Sequence, residues 1–282
     1  MRPILKYRGG KSKEIKYFHN YIPNFKTYYE PFFGGGAVYF YLEPEHAVLN
    51  DVNSRLMKFY QDVKDEYELT HIQLTKLGEE YKANRLLFDE AKKRHPNKRV
   101  ADKNEPIYYE MRDYFNGKKP TDLTYATVYF YINKTAYSGM IRYNKDGDFN
   151  VPYGRYKRFN TNLLTSNHAE LLKNATLLNG DYNKSFELAT SDDFMFLDPP
   201  YDTVFSEYGN EVFTGDFGED DHRRLAEDFK NLSCKALMVI GETELTAELY
   251  NGYIKDKYNK NYSVNIRNRF KSSANHLIIT NY

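Results

Sequence analysis

One cysteine and no tryptophan occur in a chain of 282 residues. The lone Cys234 excludes an intramolecular disulfide. No run of 18 apolar residues exists, which excludes a membrane-spanning helix by length. The first twenty residues are rich in Lys and Arg and offer no apolar stretch for a signal peptide, so a reducing, cytoplasmic setting is expected. His19, His46, His71, His95, His168, His222 and His276 are scattered without metal-ligand spacing, so neither a metal nor a cysteine nucleophile is expected. Mean hydropathy is low, at −0.77, with 41% hydrophobic residues. A chain this long still buries roughly three quarters of its unfolded surface, enough for one large domain or one and a half. An excess of either charge is also missing: 40 Lys+Arg against 39 Asp+Glu leave a net +1.

That near-neutral total conceals an uneven distribution. Residues 1–29 carry Arg2, Lys6, Arg8, Lys11, Lys13, Lys16 and Lys26 against Glu14 alone, a local charge of +6. Residues 129–160 carry Lys134, Arg142, Lys145, Arg155, Lys157 and Arg158 against Asp146 and Asp148, a local +4. The remaining 221 residues therefore total −9. Two basic segments on an acidic body suit a locally bound polyanion.

Along the chain, Thr27–Glu30 is β-prone and ends at Pro31. Gly34-Gly35-Gly36 then opens into an apolar helix from Ala37, and Ala47–Asn50 is a second short strand ending at Asp51. This is a strand, turn, helix, strand unit of the size of one βαβ crossover. Helical spacing runs from Leu56 to about His95, resumes over 107–115 and again over 123–132. Ile141–Asn144 and Phe149–Pro152, joined by Lys145-Asp146-Gly147-Asp148, read as a β-hairpin. After residue 174 strands return at 176–178, 194–197, 236–240 and 277–280, with an amphipathic helix over 220–232. The expected fold is an α/β, Rossmann-like sheet (1–55 and 175–282) interrupted by a helical insert with a hairpin (56–174). Inserts of this kind usually serve recognition.

Two constellations carry chemistry. In Glu30-Pro31-Phe32-Phe33-Gly34-Gly35-Gly36 the glycines let backbone approach a ligand, and Asp51 stands where an acid can bind ribose hydroxyls. The glycines do not follow G-x-G-x-x-G, so an adenosine without phosphates suits the turn better than a dinucleotide. The second is Asp198-Pro199-Pro200-Tyr201, directly after the apolar Phe194–Leu197. The carboxyl end of a parallel strand faces the ligand crevice. Prolines cannot donate, so the segment offers acceptors and an aromatic ring to a planar group bearing an exocyclic amine.

Lys6-Tyr7-Arg8-Gly9-Gly10-Lys11, the glycine turn, Asn50-Asp51-Val52-Asn53 and Asp198-Pro199-Pro200-Tyr201 together resemble the DNA adenine methyltransferase (Dam) family, in its alpha order of motifs. The resemblance spans essentially the whole chain. It extends to residues 137–144 and 149–157, which are similar to the recognition hairpin of GATC-acting members.

The resemblance implies S-adenosylmethionine as cofactor, lined by Tyr7, Lys11, Phe32, Gly34, Gly36, Asp51, Asp198 and, near its adenine, Asp181 and Tyr182. Tyr7 stands where the family often has tryptophan. It implies methyl transfer to adenine N6 in double-stranded DNA by base flipping, with Asp198, Pro199, Pro200 and Tyr201 as the catalytic set and Tyr201 stacking on the base. Recognition would fall to Lys6 on the outer guanine, Tyr137 as a wedge, Met140 and Pro152 on a thymine methyl, and Arg142 on a guanine edge. Ser138 replaces an asparagine common in GATC enzymes. Lys134, Arg155, Lys157 and Arg158 would meet phosphates. The protein is expected as a monomer without a membrane or a metal partner. A related amino-methyl transfer, to cytosine N4 or an RNA base, and an idle DNA-binding descendant remain the alternatives.

Overall fold

In the computed structural model, which describes residues 1–202, 217–261 and 273–282, strands and helices alternate at both ends of the chain and helices dominate the middle. In chain order the elements are α1 (Ile15–Phe18), β1 (Tyr28–Glu30), α2 (Ala37–Leu42), β2 (Ala47–Asp51), α3 (Ser54–Asp65), α4 (Tyr67–Arg94), α5 (Asn104–Phe115), α6 (Tyr125–Thr135), α7 (Ser166–Lys173), β3 (Ala175–Asn179), α8 (Asn183–Phe186), β4 (Phe194–Leu197), α9 (Glu219–Lys230), β5 (Lys235–Gly241), α10 (Glu244–Leu249), β6 (Ile254–Asn261) and β7 (Ser273–Thr280). Residues 203–216 and 262–272, within the segment expected to be catalytic, lie outside the described residues.

The strands form one seven-stranded sheet in the order β3-β2-β1-β4-β5-β7-β6. The first five are parallel; β7 runs antiparallel to both β5 and β6. Strand β4, Phe-Met-Phe-Leu, is buried along its whole length, as a central strand covered on both faces must be. Helix α9 presents Leu225, Ala226 and Phe229 to a core that includes Met195, Leu197, Met238 and Ile240. The order reverses between β1 and β4, which pair through Tyr28↔Phe194 and Tyr29↔Met195. The carboxyl ends of these two strands therefore flank the topological switch point, where open α/β sheets bind ligands.

The chain groups into two compact units, one of them Gly10–Ser54 with the sheet-forming C-terminal part, the other Met1–Gly9 with Arg55–Lys173. Residues 1–9, which the sequence reading grouped with the first catalytic segment, thus join the helical unit. The reason is local. The Lys6 backbone N–H donates to Asn133 Oδ1 at 2.9 Å, and Asn133 Nδ2 returns a bond to the Lys6 carbonyl at 2.8 Å.

At the centre of the helical unit is α6, capped by Thr124, whose hydroxyl accepts from Thr127 N, and buried on every side from Ala126 on. The many tyrosines have a clear use here. Tyr81 and Tyr108 put their rings in the core and their hydroxyls on the Tyr156 and Val151 carbonyls. Asn116 clamps Phe149 through both its amide and its carbonyl. Helices thereby hold the extended segment 149–156 in place. The expected hairpin is a tight loop with a single bridge, Tyr143↔Phe149, rather than a two-stranded ribbon. Asn144 closes its turn, accepting from Asp146 N and Asp148 N, and Arg55 donates to the Gly147 carbonyl at 3.2 Å.

Candidate active site and nucleic-acid interface

The candidate site in the sheet unit begins at the carboxyl end of β4. Lys11 is 2% exposed, and its ammonium donates to Asp198 Oδ1 at 2.5 Å and to the Tyr201 hydroxyl at 2.7 Å. Asp198 keeps about a fifth of its side chain open. Burial raises its carboxyl above the usual carboxylate range, and the Lys11 charge opposes that rise. Lys11, expected on the cofactor, is paired with Asp198, the carboxylate expected to be catalytic.

The loop after β1 is built around two left-handed glycines, Gly34 (φ 49) and Gly36 (φ 65). A Cβ at Gly36 would stand 2.8 Å from the Phe33 ring and 2.9 Å from Phe40. Gly34 N donates to Asp51 Oδ2 at 2.8 Å, and Asn53 N to Asp51 Oδ1 at 2.9 Å. Burial raises the Asp51 carboxyl, and these backbone donors offset part of the rise. Beside it Asn50, fully buried, donates to the Pro31 and Gly180 carbonyls at 3.0 and 2.9 Å. One side chain therefore ties together the loops that follow β1 and β3.

Those loops carry Phe32 and Tyr182, whose rings lie 5.5 Å apart. Tyr182 is locked by a 2.7 Å bond from its hydroxyl to Asp228 and by Arg224, whose guanidinium covers the ring at 4.7 Å. The same Arg224 holds the exposed Asp181 at 2.8 Å. Flat apolar rings with the acceptor oxygens of two carboxylates and of the buried Asn50, whose Oδ1 has no hydrogen-bond partner, fit a nucleoside. Among the described residues no group of three or more His, Cys, Asp or Glu side chains could hold a metal ion. No described helix is long and apolar enough to cross a membrane.

Behind Lys11 and Tyr201 lies a buried network that sequence reading missed. Glu14 accepts from the Tyr258 hydroxyl and from Lys260, each at 2.6 Å, and from His276 Nδ1 at 3.1 Å. Burial alone would raise this carboxyl, but the bonds from His276, Lys260 and Tyr258 and the Lys11 charge hold it at about 2. The His276 ring meets the Tyr201 ring edge-on, with centroids 5.2 Å apart. One signal was visible beforehand: Glu14 is the only acid among the seven bases of residues 1–29.

In the helical unit the expected DNA-contacting residues divide. Tyr137, Ser138, Arg142 and Pro152 are exposed, and Met140 is half-buried. Tyr137 N donates to the Pro152 carbonyl at 2.9 Å, which brings the two segments side by side. Ser138 takes a left-handed conformation (φ 55), and a Cβ at Gly139 would sit 3.0 Å from Lys6 Cδ, so Lys6 packs directly against this turn. Its ammonium donates to the Lys134 carbonyl at 3.1 Å and covers the Tyr156 ring at 4.1 Å. Arg142 is aimed by Asn150, whose Oδ1 accepts from Nε at 2.8 Å.

Two expected phosphate contacts are placed otherwise. Lys134 belongs to the last turn of a helix buried all round, is 6% exposed and donates to the Ile4 carbonyl. Burial, helped by the nearby Lys6 charge, pushes its ammonium down to about 7. Arg155 is exposed but paired with Glu105 at 2.9 Å. Lys157 and Arg158 stay exposed. Tyr7 is half-buried within the helical unit.

A family model described as D12 class N6 adenine-specific DNA methyltransferase matches residues 7–266. Over 291 residues and the full length of both chains, the sequence is 37% identical to the type II methyltransferase M.CviBI of Paramecium bursaria Chlorella virus NC1A. It is 32% identical to the type II methyltransferase M.MjaIII of Methanocaldococcus jannaschii over 303 residues, covering 100% of this chain and 99% of the relative. It is 30% identical to the DNA adenine methylase of Salmonella typhi over 257 residues, covering 88% and 84%. The match extends over nearly all of the chain, and the chain belongs to the D12 class of N6 adenine-specific DNA methyltransferases.

Proposed function

We propose that this methyltransferase acts on adenine in GATC, taking the methyl group from S-adenosylmethionine and flipping the target base onto Tyr201. The observation that carries the reading is the position of Asp198-Pro199-Pro200-Tyr201 at the switch point, with Asp198 a fifth open and charge-paired to Lys11. D12 enzymes in general use this cofactor. The rings of Phe32 and Tyr182 and the acceptor carboxylates of Asp51 and Asp181 fit its nucleoside.

When bound, the cofactor supplies an electrophilic methyl group on a sulfonium. The chain's own groups prepare the nucleophile. The adenine amino nitrogen is weak because its lone pair is delocalised into the ring. The Asp198 carboxylate and the Pro199 carbonyl accept the two N6–H bonds, favour a tetrahedral nitrogen and aim its lone pair. The N–C bond would form as the methyl–sulfur bond of the cofactor breaks and leaves a neutral thioether, and one N6 proton would pass to Asp198 and on to solvent. Removing the base from the duplex costs a few kcal/mol, and one aromatic stack returns about 1–3 of them.

For GATC the support is the exposed set Tyr137, Ser138, Arg142 and Pro152, with the half-buried Met140 and Lys6 beside it. The guanidinium of Arg142 matches the O6 and N7 of guanine. Incubation with labelled cofactor and duplexes with and without GATC tests the reading. Labelling of the GATC duplex alone, recovered as N6-methyladenine after digestion, is expected. Equal labelling of both overturns the specificity, and labelled cytosine overturns the target.

A further inference from the structure

Tyr201 is gripped at two points. Lys11 holds its hydroxyl, and His276 meets its ring at 5.2 Å with the planes at 83°. His276 is itself held: it is 0% exposed, and Nδ1 lies 3.1 Å from Glu14 Oε2 and 3.2 Å from the Tyr258 oxygen. Glu14 lies one turn after Lys11, its backbone N–H donating to the Lys11 carbonyl at 2.7 Å. The same carboxylate thus stands behind both grips on Tyr201. The strand pairing explains how the pieces meet, since His276 sits opposite Gly241 of β5 and opposite Tyr258 of β6. Gly241 leaves the space beside Tyr201 open: a Cβ there would be 3.8 Å from the Tyr201 ring.

We propose that His276, tethered by Glu14 and Tyr258, is a positioning residue for methyl transfer: it fixes the plane of the Tyr201 ring on which the flipped adenine lies. The role rests on the base-flipping reading above. An aromatic platform that can rotate offers the base many poses, and a loss of about an ångström of alignment can cost on the order of 100-fold in rate. A buried polar tether to an ionised carboxylate removes that freedom more firmly than apolar packing, because rotating His276 would break a charge-assisted bond.

The test uses His276→Ala, which removes the edge contact, and Tyr258→Phe, which deletes only the bridging hydroxyl. Three quantities are measured on the full chain: kcat and KM on a duplex the wild-type protein methylates, the dissociation constant of S-adenosylhomocysteine, and the fluorescence of 2-aminopurine placed at the target adenine. Tyr201→Ala supplies the reference signal for a base without its platform. The expected result is a fall in kcat of about tenfold or more for His276→Ala and a smaller fall for Tyr258→Phe. S-adenosylhomocysteine affinity should hold, and the 2-aminopurine signal should move toward that of Tyr201→Ala. Wild-type kcat and wild-type fluorescence in both variants overturn the proposal. So does a parallel loss of thermal stability and S-adenosylhomocysteine binding in both, which marks a merely structural role. A wild-type protein that methylates DNA yet leaves 2-aminopurine unchanged overturns base flipping, and this role for His276 with it.

Discussion

The Lys11 ammonium and the Asp198 carboxylate, 187 positions apart in sequence, form a 2.5 Å ion pair at the switch point of the sheet. Burial raises the Asp198 carboxyl and Lys11 counters it, so the lysine favours the ionised form of the proposed acceptor. Replacing Lys11 by methionine should raise the Asp198 pKa further. A step that needs the carboxylate then fails at a higher pH, and the acidic limb of the pH–rate profile moves upward. Asp198→Ala should abolish turnover while DNA binding, measured by gel shift, is retained.

Gly36→Ala probes the loop that follows β1. The new methyl would meet two aromatic rings at under 3 Å on a backbone of positive φ. We expect destabilisation by about 1–3 kcal/mol in denaturant unfolding and weaker binding of S-adenosylhomocysteine. Gly117→Ala, also at positive φ but with nothing within 4 Å, separates backbone strain from the clash.

Arg142→Ala should lower discrimination at one base position by about 1–3 kcal/mol. Asn150→Ala, which frees the Arg142 guanidinium from its 2.8 Å guide, should act in the same direction but less strongly. Competition binding with single-base variants of the target measures both. A uniform loss across all sequences would assign Arg142 to phosphate instead.

Lys134 and Lys157 make a matched contrast. Lys157→Ala should reduce the slope of log binding constant against log salt by about one, because it is exposed. Lys134→Met should leave that slope unchanged, since its ammonium is inside the helical unit on the Ile4 carbonyl. Its native pKa of about 7 lies below the unfolded value of 10.5, so the unfolded chain binds more protons in between. Wild-type stability should therefore rise with pH from about 7 upward, and the methionine variant should lose that rise.

Glu30 is buried at the end of β1, accepting from the Tyr28 hydroxyl at 2.8 Å and Tyr39 N at 3.2 Å. Burial raises its carboxyl well above the ordinary range. The native state then holds its proton more tightly than the unfolded chain. Stability should fall as pH rises from the ordinary carboxyl range through the raised native value, and Glu30→Gln should flatten this fall. Glu30→Ala removes the acceptor of the buried Tyr28 hydroxyl and of Tyr39 N and should cost about 1–3 kcal/mol in urea unfolding.

By itself the sequence determined the α/β sheet and located the candidate site at its carboxyl edge. A strand, the turn that follows it and the acid at its end are contiguous, so Phe194–Tyr201 and Tyr28–Gly36 display their backbone preferences and functional groups in one short reading. The two local excesses of positive charge were equally legible. Their meaning was not. Lys11, Lys134 and Arg155 carry the same kind of charge, yet one pairs with Asp198, one is buried on a carbonyl and one pairs with Glu105. Strand β6 was not legible, because the polar run Ile254–Asn261 lacks the apolar signature of a central strand, whereas part of β7 was read at 277–280. Only the sheet order brought Tyr258 to Glu14 across 244 positions and set His276 against Tyr201. Local propensity decides what a segment becomes; which partner neutralises a buried charge depends on which segments the fold makes neighbours, and desolvation then admits no partner but the one in reach.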